Sequence, residues 1–185
     1  MPRVVVYDAC VLYPASLRDL LLRLAVEELC RARWSNEILD EVFSVLRAKR
    51  PDLDPAKLEI TRARICEAVP ECLVTGHLPL VESLVLPDPL DRHVLAAAIH
   101  SGAEVIVTEN RRDFPARALR PHGIEALSVD DFVLRMIESA PEDVRAIIEQ
   151  QAADLKNPPY TADQLLKKLS ANGLKRSVAR LRRQQ

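Results

Sequence analysis

Short apolar runs alternate along this chain with longer stretches in which apolar residues recur at helical spacing. Three adjacent valines open the stretch 4–12 and predict a short buried strand. Further runs at residues 72–74, 105–107 and 124–127 predict three more strands. Strands separated by helices favour a parallel sheet with helices on both faces. The pattern therefore predicts an α/β fold.

Capping residues and prolines mark where the helices begin and end. Ser35 and Ser128 are good N-caps, and the pair Asp54-Pro55 is a good helix start. The predicted helices cover residues 14–30, 35–50, 54–69, 88–101, 128–136, 141–155, 161–169 and 174–181. Residues 31–34 are predicted to close the first helix, and residues 76–89 are predicted to form a loop.

Length and composition favour one domain with an appendage. The 185 residues include 48% hydrophobic residues, which is enough to fill a core. We predict a domain over residues 1–140 and a helical, basic extension over 141–185. No uncharged apolar run approaches the roughly 20 residues of a membrane span. An acid appears by position 8, so the N-terminus lacks the apolar centre of a secretion signal, and we expect a cytoplasmic protein.

Cysteines and histidines form no recognisable metal motif in the sequence. The cysteines stand alone at positions 10, 30, 66 and 72, which favours reduced core residues over disulfides or zinc ligands. The histidines are equally scattered. His93 and His100 lie seven residues apart on one predicted helix, where surface or packing roles are favoured because a third ligand is missing.

Carboxylates, by contrast, recur where predicted strands end or helices begin. Asp8 ends the first strand, Asp88 and Asp91 open a helix, and Asp113 follows the run at 105–107. The carboxyl ends of parallel strands share one edge of a sheet, so these acids are expected to converge. Clustered carboxylates repel unless cations offset them, and oxygen ligands suit Mg²⁺ or Mn²⁺. Asp8 also fits a second interpretation, a cap or turn before the next helix.

Four strings, in this order, resemble a known family. They are VVVYDACVL (4–12), WSNEILDEV (34–42), LPDPLD (86–91) and VIVTENRRDF (105–114). The set is similar to PIN-domain ribonucleases over about residues 3–133. It most resembles the VapC-type toxins of bacterial toxin–antitoxin pairs that carry a helical C-terminal extension. The resemblance implies a three-layer α/β/α fold around a central parallel sheet.

The resemblance also implies roles for single residues. The family's catalytic and metal-binding set consists of a first-strand aspartate, a helix glutamate, a central aspartate and a late acid. In this chain the matching residues are, in that order, Asp8, Glu41, Asp91 and Asp113. Periodicity alone makes Glu41 a solvated helix residue, so only the resemblance selects it. Supporting neighbours in this picture are Asp88, Thr108 and Asn110.

The function that the resemblance implies is that of a Mg²⁺-dependent (or Mn²⁺-dependent) endoribonuclease, the toxin of a type II toxin–antitoxin pair, which hydrolyses RNA phosphodiesters with metal-activated water. Two departures leave an alternative open, a catalytically weak or inactive PIN-like module that binds RNA or a partner. Ala9-Cys10 stands where the family often has Thr-Asn, and Asn110 stands where some members carry an aspartate. The fourth acidic role is therefore open between Asn110 and Asp113.

A third interpretation is a phosphotransfer or phosphatase domain that uses the strand-end aspartate as a nucleophile. Such phosphatases usually need a second aspartate two residues later. Cys10 occupies that position in this chain, which disfavours this interpretation.

The C-terminal segment differs in charge from the rest of the chain. Residues 161–185 carry a net charge of +6, and residues 1–160 carry −7. The candidates for contact with RNA phosphates are Lys167, Lys168, Lys175 and Arg176. The alternative is a solvated basic face of two small helices. The family resemblance further implies a cognate antitoxin and a homodimer, and no membrane partner is expected.

Overall fold

The strands of this protein form one parallel sheet at its centre. The computed structural model describes residues 2–183. In that range the strands are β1 (Val4–Tyr7), β2 (Arg31–Ser35), β3 (Leu73–Val74), β4 (Val105–Val107) and β5 (Glu125–Leu127). They pair in the order β3-β2-β1-β4-β5, and all of these pairings are parallel. The predicted parallel α/β fold is confirmed.

Helices connect and cover these strands. Within the described residues the α-helices are α1 (Ala9–Leu12), α2 (Ala15–Val26), α3 (Asn36–Lys49), α4 (Pro55–Ala68), α5 (Arg92–His100), α6 (Ala116–Leu119), α7 (Val129–Ser139), α8 (Pro141–Asp154), α9 (Ala162–Ala171) and α10 (Lys175–Arg182). Shorter 3-10 helices cover Leu78–Ser83, Pro89–Asp91 and Arg120–His122. The predicted caps are present: the Ser35 hydroxyl accepts from the Ile38 N–H, and the Ser128 hydroxyl accepts from the Asp131 N–H.

The sheet is the middle layer of a three-layer α/β/α sandwich. Val5, Val6 and Tyr7 of β1 are fully buried, as expected for a central parallel strand covered on both sides. The Tyr7 hydroxyl donates to the Leu21 carbonyl of α2, and its ring meets Phe132 of α7 edge to face. Helix α5 packs against β1, β2 and β4. This sandwich places the carboxyl ends of β1 and β4 side by side.

The predicted helix end at residues 31–34 is wrong, because this segment belongs to β2. Its residues alternate in exposure: Ala32 and Trp34 are buried, whereas Arg31 and Arg33 turn outward towards Glu71. Two arginines in this short segment made it look like the end of a helix. The strand becomes recognisable only when it lies beside its partner β1. The predicted loop 76–89 also contains the 3-10 helix Leu78–Ser83, and α1 begins directly after Asp8.

The C-terminal helices share the hydrophobic core of the rest of the chain. Helix α8 packs on α2, and α10 packs on α7. The proposed division between residues 140 and 141 falls between α7 and α8, and it stays a prediction. The outer ends of the two predicted domains, Met1 and Gln184–Gln185, lie outside the described residues. Among the helices of residues 2–183, none combines the length and the apolar content of a membrane span.

Candidate active site

Asp8 and Thr108 meet at the carboxyl edge of the sheet. Asp8 directly follows β1 and Thr108 directly follows the neighbouring strand β4, so the parallel register brings them together. The Asp8 backbone N–H donates to the Val107 carbonyl at 3.1 Å. The Thr108 hydroxyl donates to Asp8 Oδ2 at 2.6 Å. The sheet therefore fixes the position of the Asp8 carboxylate, which lies 100 residues away from its partner in sequence.

Asp8 serves at the same time as the N-cap of α1. Its Oδ1 accepts from the Ala9 N–H at 2.7 Å, so the alternative interpretation as a cap describes a real contact. The side chain is buried, and burial raises the pKa of this carboxyl. Hydrogen bonds from Thr108, Cys10 and Ala9 oppose that rise without cancelling it. A carboxylate that needs so many donors is held in place, and it gains from any cation that approaches it.

Cys10 supplies the polar contact that its departure from the family pattern had left open. Its Sγ lies 3.2 Å from Asp8 Oδ2 and accepts from the Glu109 N–H at 3.3 Å. Burial, together with the charge of Asp8, raises the pKa of the Cys10 thiol to about 12. The thiol therefore stays protonated at neutral pH and can donate a hydrogen bond to the Asp8 carboxylate. All four cysteines are free, as predicted.

Asp91 collects the repulsion of the other acids. It is the last residue of the 3-10 helix Pro89–Asp91, which Asp88 caps through a 2.9 Å bond from the Leu90 N–H to Asp88 Oδ1. Burial raises the pKa of Asp91 to about 6, and the charges of the surrounding carboxylates add to the rise. Those carboxylates, in order of effect, are Asp8, Asp88, Asp113 and Glu41. The fold thus gathers the five predicted acidic residues around one edge of the sheet.

Glu41 reaches this group from helix α3 and contacts His93, for which the sequence favoured a surface or packing role. Its Oε1 lies 2.7 Å from Nε2 of His93 on α5, and the His93 side chain is only 13% exposed. Burial alone would lower the pKa of His93, but the bond to Glu41 and the charges of Asp8 and Glu37 outweigh it and leave that pKa raised. The position of His93, two residues after Asp91, was the available signal.

The loop after β4 places Asp113 and Asn110 differently. Asp113 is half-buried, its N–H donates to the Asn110 carbonyl, and its charge acts on Asp91. Asn110 is exposed, and its backbone N–H donates to the Thr108 hydroxyl at 3.0 Å. The carboxylate at position 113 is thus the one that contributes charge to the acidic group.

The donor chemistry of the acidic group fits a hard divalent cation. All of its proposed ligand atoms are carboxylate oxygens, the type that Mg²⁺ and Mn²⁺ prefer. The pKa of Asp91 is raised by burial and then by the neighbouring acids, so its charged form would gain from a nearby cation. Within residues 2–183, no three His, Cys, Asp or Glu side chains lie close enough together, as placed, to hold a metal ion. Some adjustment of these side chains is therefore needed for shared coordination.

The basic candidates at the C-terminal end occupy two places. Lys167 pairs with Asp163 at 2.9 Å, and Lys168 lies over the Tyr160 ring, 5.4 Å from its centroid. Arg176, next to Lys175 at the start of α10, contacts Asp131 of α7. Arg111 of the loop after β4 reaches that same Asp131 at 3.6 Å, so Arg176 lies beside the loop that carries Asp113.

Comparisons with known proteins agree with this architecture. Residues 4–112 match the family model described as PIN domain, and residues 129–183 match the model described as VapC50 C-terminal domain. A protein of Mycobacterium tuberculosis (strain ATCC 25618 / H37Rv) named "Putative ribonuclease VapC50" is 46% identical over 76 residues, which are 41% of this chain and 45% of that relative. The match thus spans less than half of the relative. No solved structure matches this chain significantly. The chain belongs to the PIN-domain family, as a VapC-type member with a C-terminal extension.

Proposed function

We propose that this protein is a metal-dependent endoribonuclease, the toxin of a type II toxin–antitoxin pair. The observation that carries the proposal is the position of five acids around one edge of the sheet, where burial and the other four carboxylates raise the pKa of Asp91 to about 6. Acids gathered in this way lower the stability of the fold unless a cation offsets their charge. Clusters of this kind therefore occur mainly at functional sites. The similarity to a relative whose name includes ribonuclease supports RNA as the substrate.

Asp8, Glu41, Asp91 and Asp113 are the residues that would hold Mg²⁺ or Mn²⁺. When bound, such an ion would lower the pKa of a water molecule and offset charge on the scissile phosphate. The protein's own contribution is positioning. Thr108 and Cys10 orient Asp8, and Asp88 caps the 3-10 helix that ends at Asp91. Water is the attacking group in this proposal, so no covalent protein intermediate is required.

Replacement of Asp8 is the direct test. Asp8→Asn keeps a side-chain oxygen for the Ala9 N–H but removes the charge, so the α1 cap survives. We expect Mg²⁺-dependent cleavage of RNA to fall at least about 100-fold, because the variant loses a charged metal ligand. Each tenfold loss of rate corresponds to about 1.4 kcal/mol in the activation free energy. Asp143→Asn, on the exposed surface of α8, is the matched control and should cleave like the wild type. Full activity in folded Asp8→Asn would contradict the assignment.

A second candidate function is a PIN-like module that binds RNA or a partner without efficient cleavage. The acids share one edge of the sheet, but within residues 2–183 no three of them lie close enough together, as placed, to hold one ion, which favours this candidate. Calorimetry with Mn²⁺ separates the two candidates. Micromolar binding that Asp8→Asn weakens supports the nuclease, and no Mn²⁺ binding by the wild type supports the module.

The nuclease proposal brings partners with it. We propose an antitoxin as the protein partner, because a basic segment would complement the acidic group at the sheet edge, and a homodimer as the toxin's state in the cytoplasm. Residues 1–140 would carry the nuclease site and residues 141–185 the extension. Light scattering of the purified chain tests the dimer, and co-purification with the product of a neighbouring gene tests the antitoxin.

RNA contact by the basic C-terminal residues is a separate proposal, for Lys167, Lys168, Lys175 and Arg176. Deletion of the segment is a poor test, because α9 and α10 bury Leu165, Leu169 and Val178 in the core. The triple variant Lys167→Gln, Lys168→Gln, Lys175→Gln keeps those contacts. If these side chains bind phosphates, RNA affinity falls and its salt dependence becomes less steep by about one ion per contact. Unchanged affinity at low salt indicates a solvated face.

A further inference from the structure

Glu41 differs from the other acids of the site in how it is held. Asp8 is fixed by the ends of two strands and Asp88 by its cap, whereas Glu41 extends from the surface of α3 on a long side chain that is 47% exposed. A glutamate in that setting loses considerable rotamer freedom if it must stay in one place. A second group has to hold it at the site.

His93 is in position to do so. It stands in the first turn of α5, two residues after Asp91, and its Nε2 lies 2.7 Å from Glu41 Oε1. The ring is fixed by burial: its side chain is 13% exposed, and Nδ1 is out of solvent. A neutral imidazole with its proton on Nε2 donates to the carboxylate, and a carboxylate has a second oxygen free to meet a cation.

A second glutamate–histidine contact lies one turn earlier on α3, away from the predicted ligands. Glu37 Oε2 lies 3.3 Å from Nε2 of His77, which is also buried, but these two atoms do not form a hydrogen bond as Glu41 and His93 do. Two glutamate–histidine pairs thus link α3 to the segments around it, but only one of the glutamates belongs to the acidic group. The charges of Glu41 act on both Asp8 and Asp91. This distinguishes the Glu41–His93 pair from a merely structural one.

We propose that His93 is a positioning residue that holds Glu41 in the acidic group through the Nε2–H···Oε1 bond. The inference rests on the proposed nuclease function, since it assigns Glu41 to a cation-binding set. It has a consequence of its own in the free protein: the imidazole of His93 must carry a proton on Nε2 and be bonded to Glu41 before any ion is present.

The test compares three replacements. His93→Ala removes the donor, His93→Gln restores an N–H donor at a similar reach, and His122→Gln alters an exposed histidine elsewhere as a control. Loss of a group that orients a metal ligand typically lowers metal affinity 10–100-fold. We expect His93→Ala to weaken Mn²⁺ binding at least about tenfold and to lower kcat more than it raises KM. His93→Gln should recover most of both, and His122→Gln should match the wild type.

Outcomes that overturn the inference differ from those that overturn the nuclease proposal. If His93→Ala binds Mn²⁺ and cleaves RNA like the wild type while Asp8→Asn does not, His93 is not a positioning residue and the nuclease proposal stands. If Ala and Gln variants lose binding equally although both melt like the wild type, the donor role is wrong. Imidazole ¹⁵N spectra of the metal-free protein complete the test: a Glu41→Gln replacement must shift the His93 Nε2 signal, and an unchanged signal refutes the bond.

Discussion

Two groups of carboxylates in this protein lie in opposite electrostatic settings. At the sheet edge, burial and neighbouring acids raise the pKa values of Asp8 and Asp91. At the start of α7, Asp130 and Asp131 have lowered pKa values. Burial opposes the shift at Asp130, but hydrogen bonds from Ser177 and Arg176 outweigh it, and at Asp131 bonds from Ser128 and Arg176 produce it.

The α7 pair has a clear structural purpose. Helix α10 starts after Leu174, whose side chain cannot cap it. Asp130 caps α10 from the neighbouring helix instead, accepting from the Arg176 and Ser177 N–H groups at 2.9 Å and from the Ser177 hydroxyl at 2.7 Å. The negative charge of Asp130 is therefore compensated by donor groups within the chain.

Among residues 2–183, the acids at the sheet edge lack ion pairs of this kind except for Glu41, which contacts His93, and this is the difference between the two groups. Asp8 accepts neutral hydrogen bonds, and the neighbours that shift the Asp91 pKa are other acids. The protein therefore carries a repulsion at the sheet edge that it has removed at α7. A bound cation would offset this repulsion, as the proposed metal-dependent function requires. Replacing a carboxylate should thus change the stability of the metal-free protein in opposite directions in the two places: upward at the sheet edge and downward at α7.

The largest expected effect concerns the fourth acidic position. Asp113→Asn removes a charge that acts on Asp91, so we expect RNA cleavage to fall roughly 100-fold. Asn110→Ala leaves the backbone bond to Thr108 intact, and we expect less than a threefold change, or about 0.6 kcal/mol. Single-turnover cleavage at saturating Mg²⁺ compares the two variants. A larger loss in Asn110→Ala would assign the fourth role to the amide.

A smaller effect, on stability alone, is expected at α7. Asp130→Ala leaves two N–H groups of α10 without their acceptor, so the free energy of unfolding should fall by about 2 kcal/mol. Urea unfolding measures the change, and Asp143→Ala on the exposed face of α8 should stay within about 0.5 kcal/mol. RNA cleavage by folded Asp130→Ala should equal that of the wild type. A matching loss of cleavage would mean that α10 also supports the site.

The smallest effect has the opposite sign. Because the folded-state pKa of Asp91 is raised from 3.8 to about 6, the metal-free folded protein binds more protons than the unfolded chain between these values. The contribution of Asp91 to stability is therefore present at low pH and lost as the pH rises through about 6. Asp91→Asn should stabilise the metal-free protein at pH 7 by about 1 kcal/mol, a value reduced for solvent screening because Asp91 is half-buried.

Thermal unfolding in EDTA at two pH values checks this prediction. The gain of Asp91→Asn should vanish near pH 4, where the wild-type carboxyl is already protonated. Saturating Mn²⁺ should stabilise the wild type and leave the variant nearly unchanged. If Asp91→Asn is less stable than the wild type at pH 7, the Asp91 carboxylate is stabilised by donor groups in the protein, as Asp130 and Asp131 are at α7.

Local signals in the sequence were sufficient for much of the fold. The valine run of β1, the caps at Ser35 and Ser128, and the proline starts of α4 and α8 depend on neighbouring residues only. The position of Asp8 at a strand end follows from the same local pattern. Strand β2 does not, because its two arginines resemble the end of a helix until β1 and β3 lie beside it.

The site divides in the same way between sequence and tertiary structure. Residue types and order sufficed to select Asp8, Asp88, Asp91 and Asp113, and the family resemblance was needed to add Glu41. Contacts across the chain decided the rest, since Cys10 meets Glu109 and His93 meets Glu41 only after the sheet and its helices have assembled. Local sequence determines backbone preferences over a few residues. The pKa of Asp91 is raised by burial and by the charges of acids up to 83 positions away, and only the folded chain produces both effects.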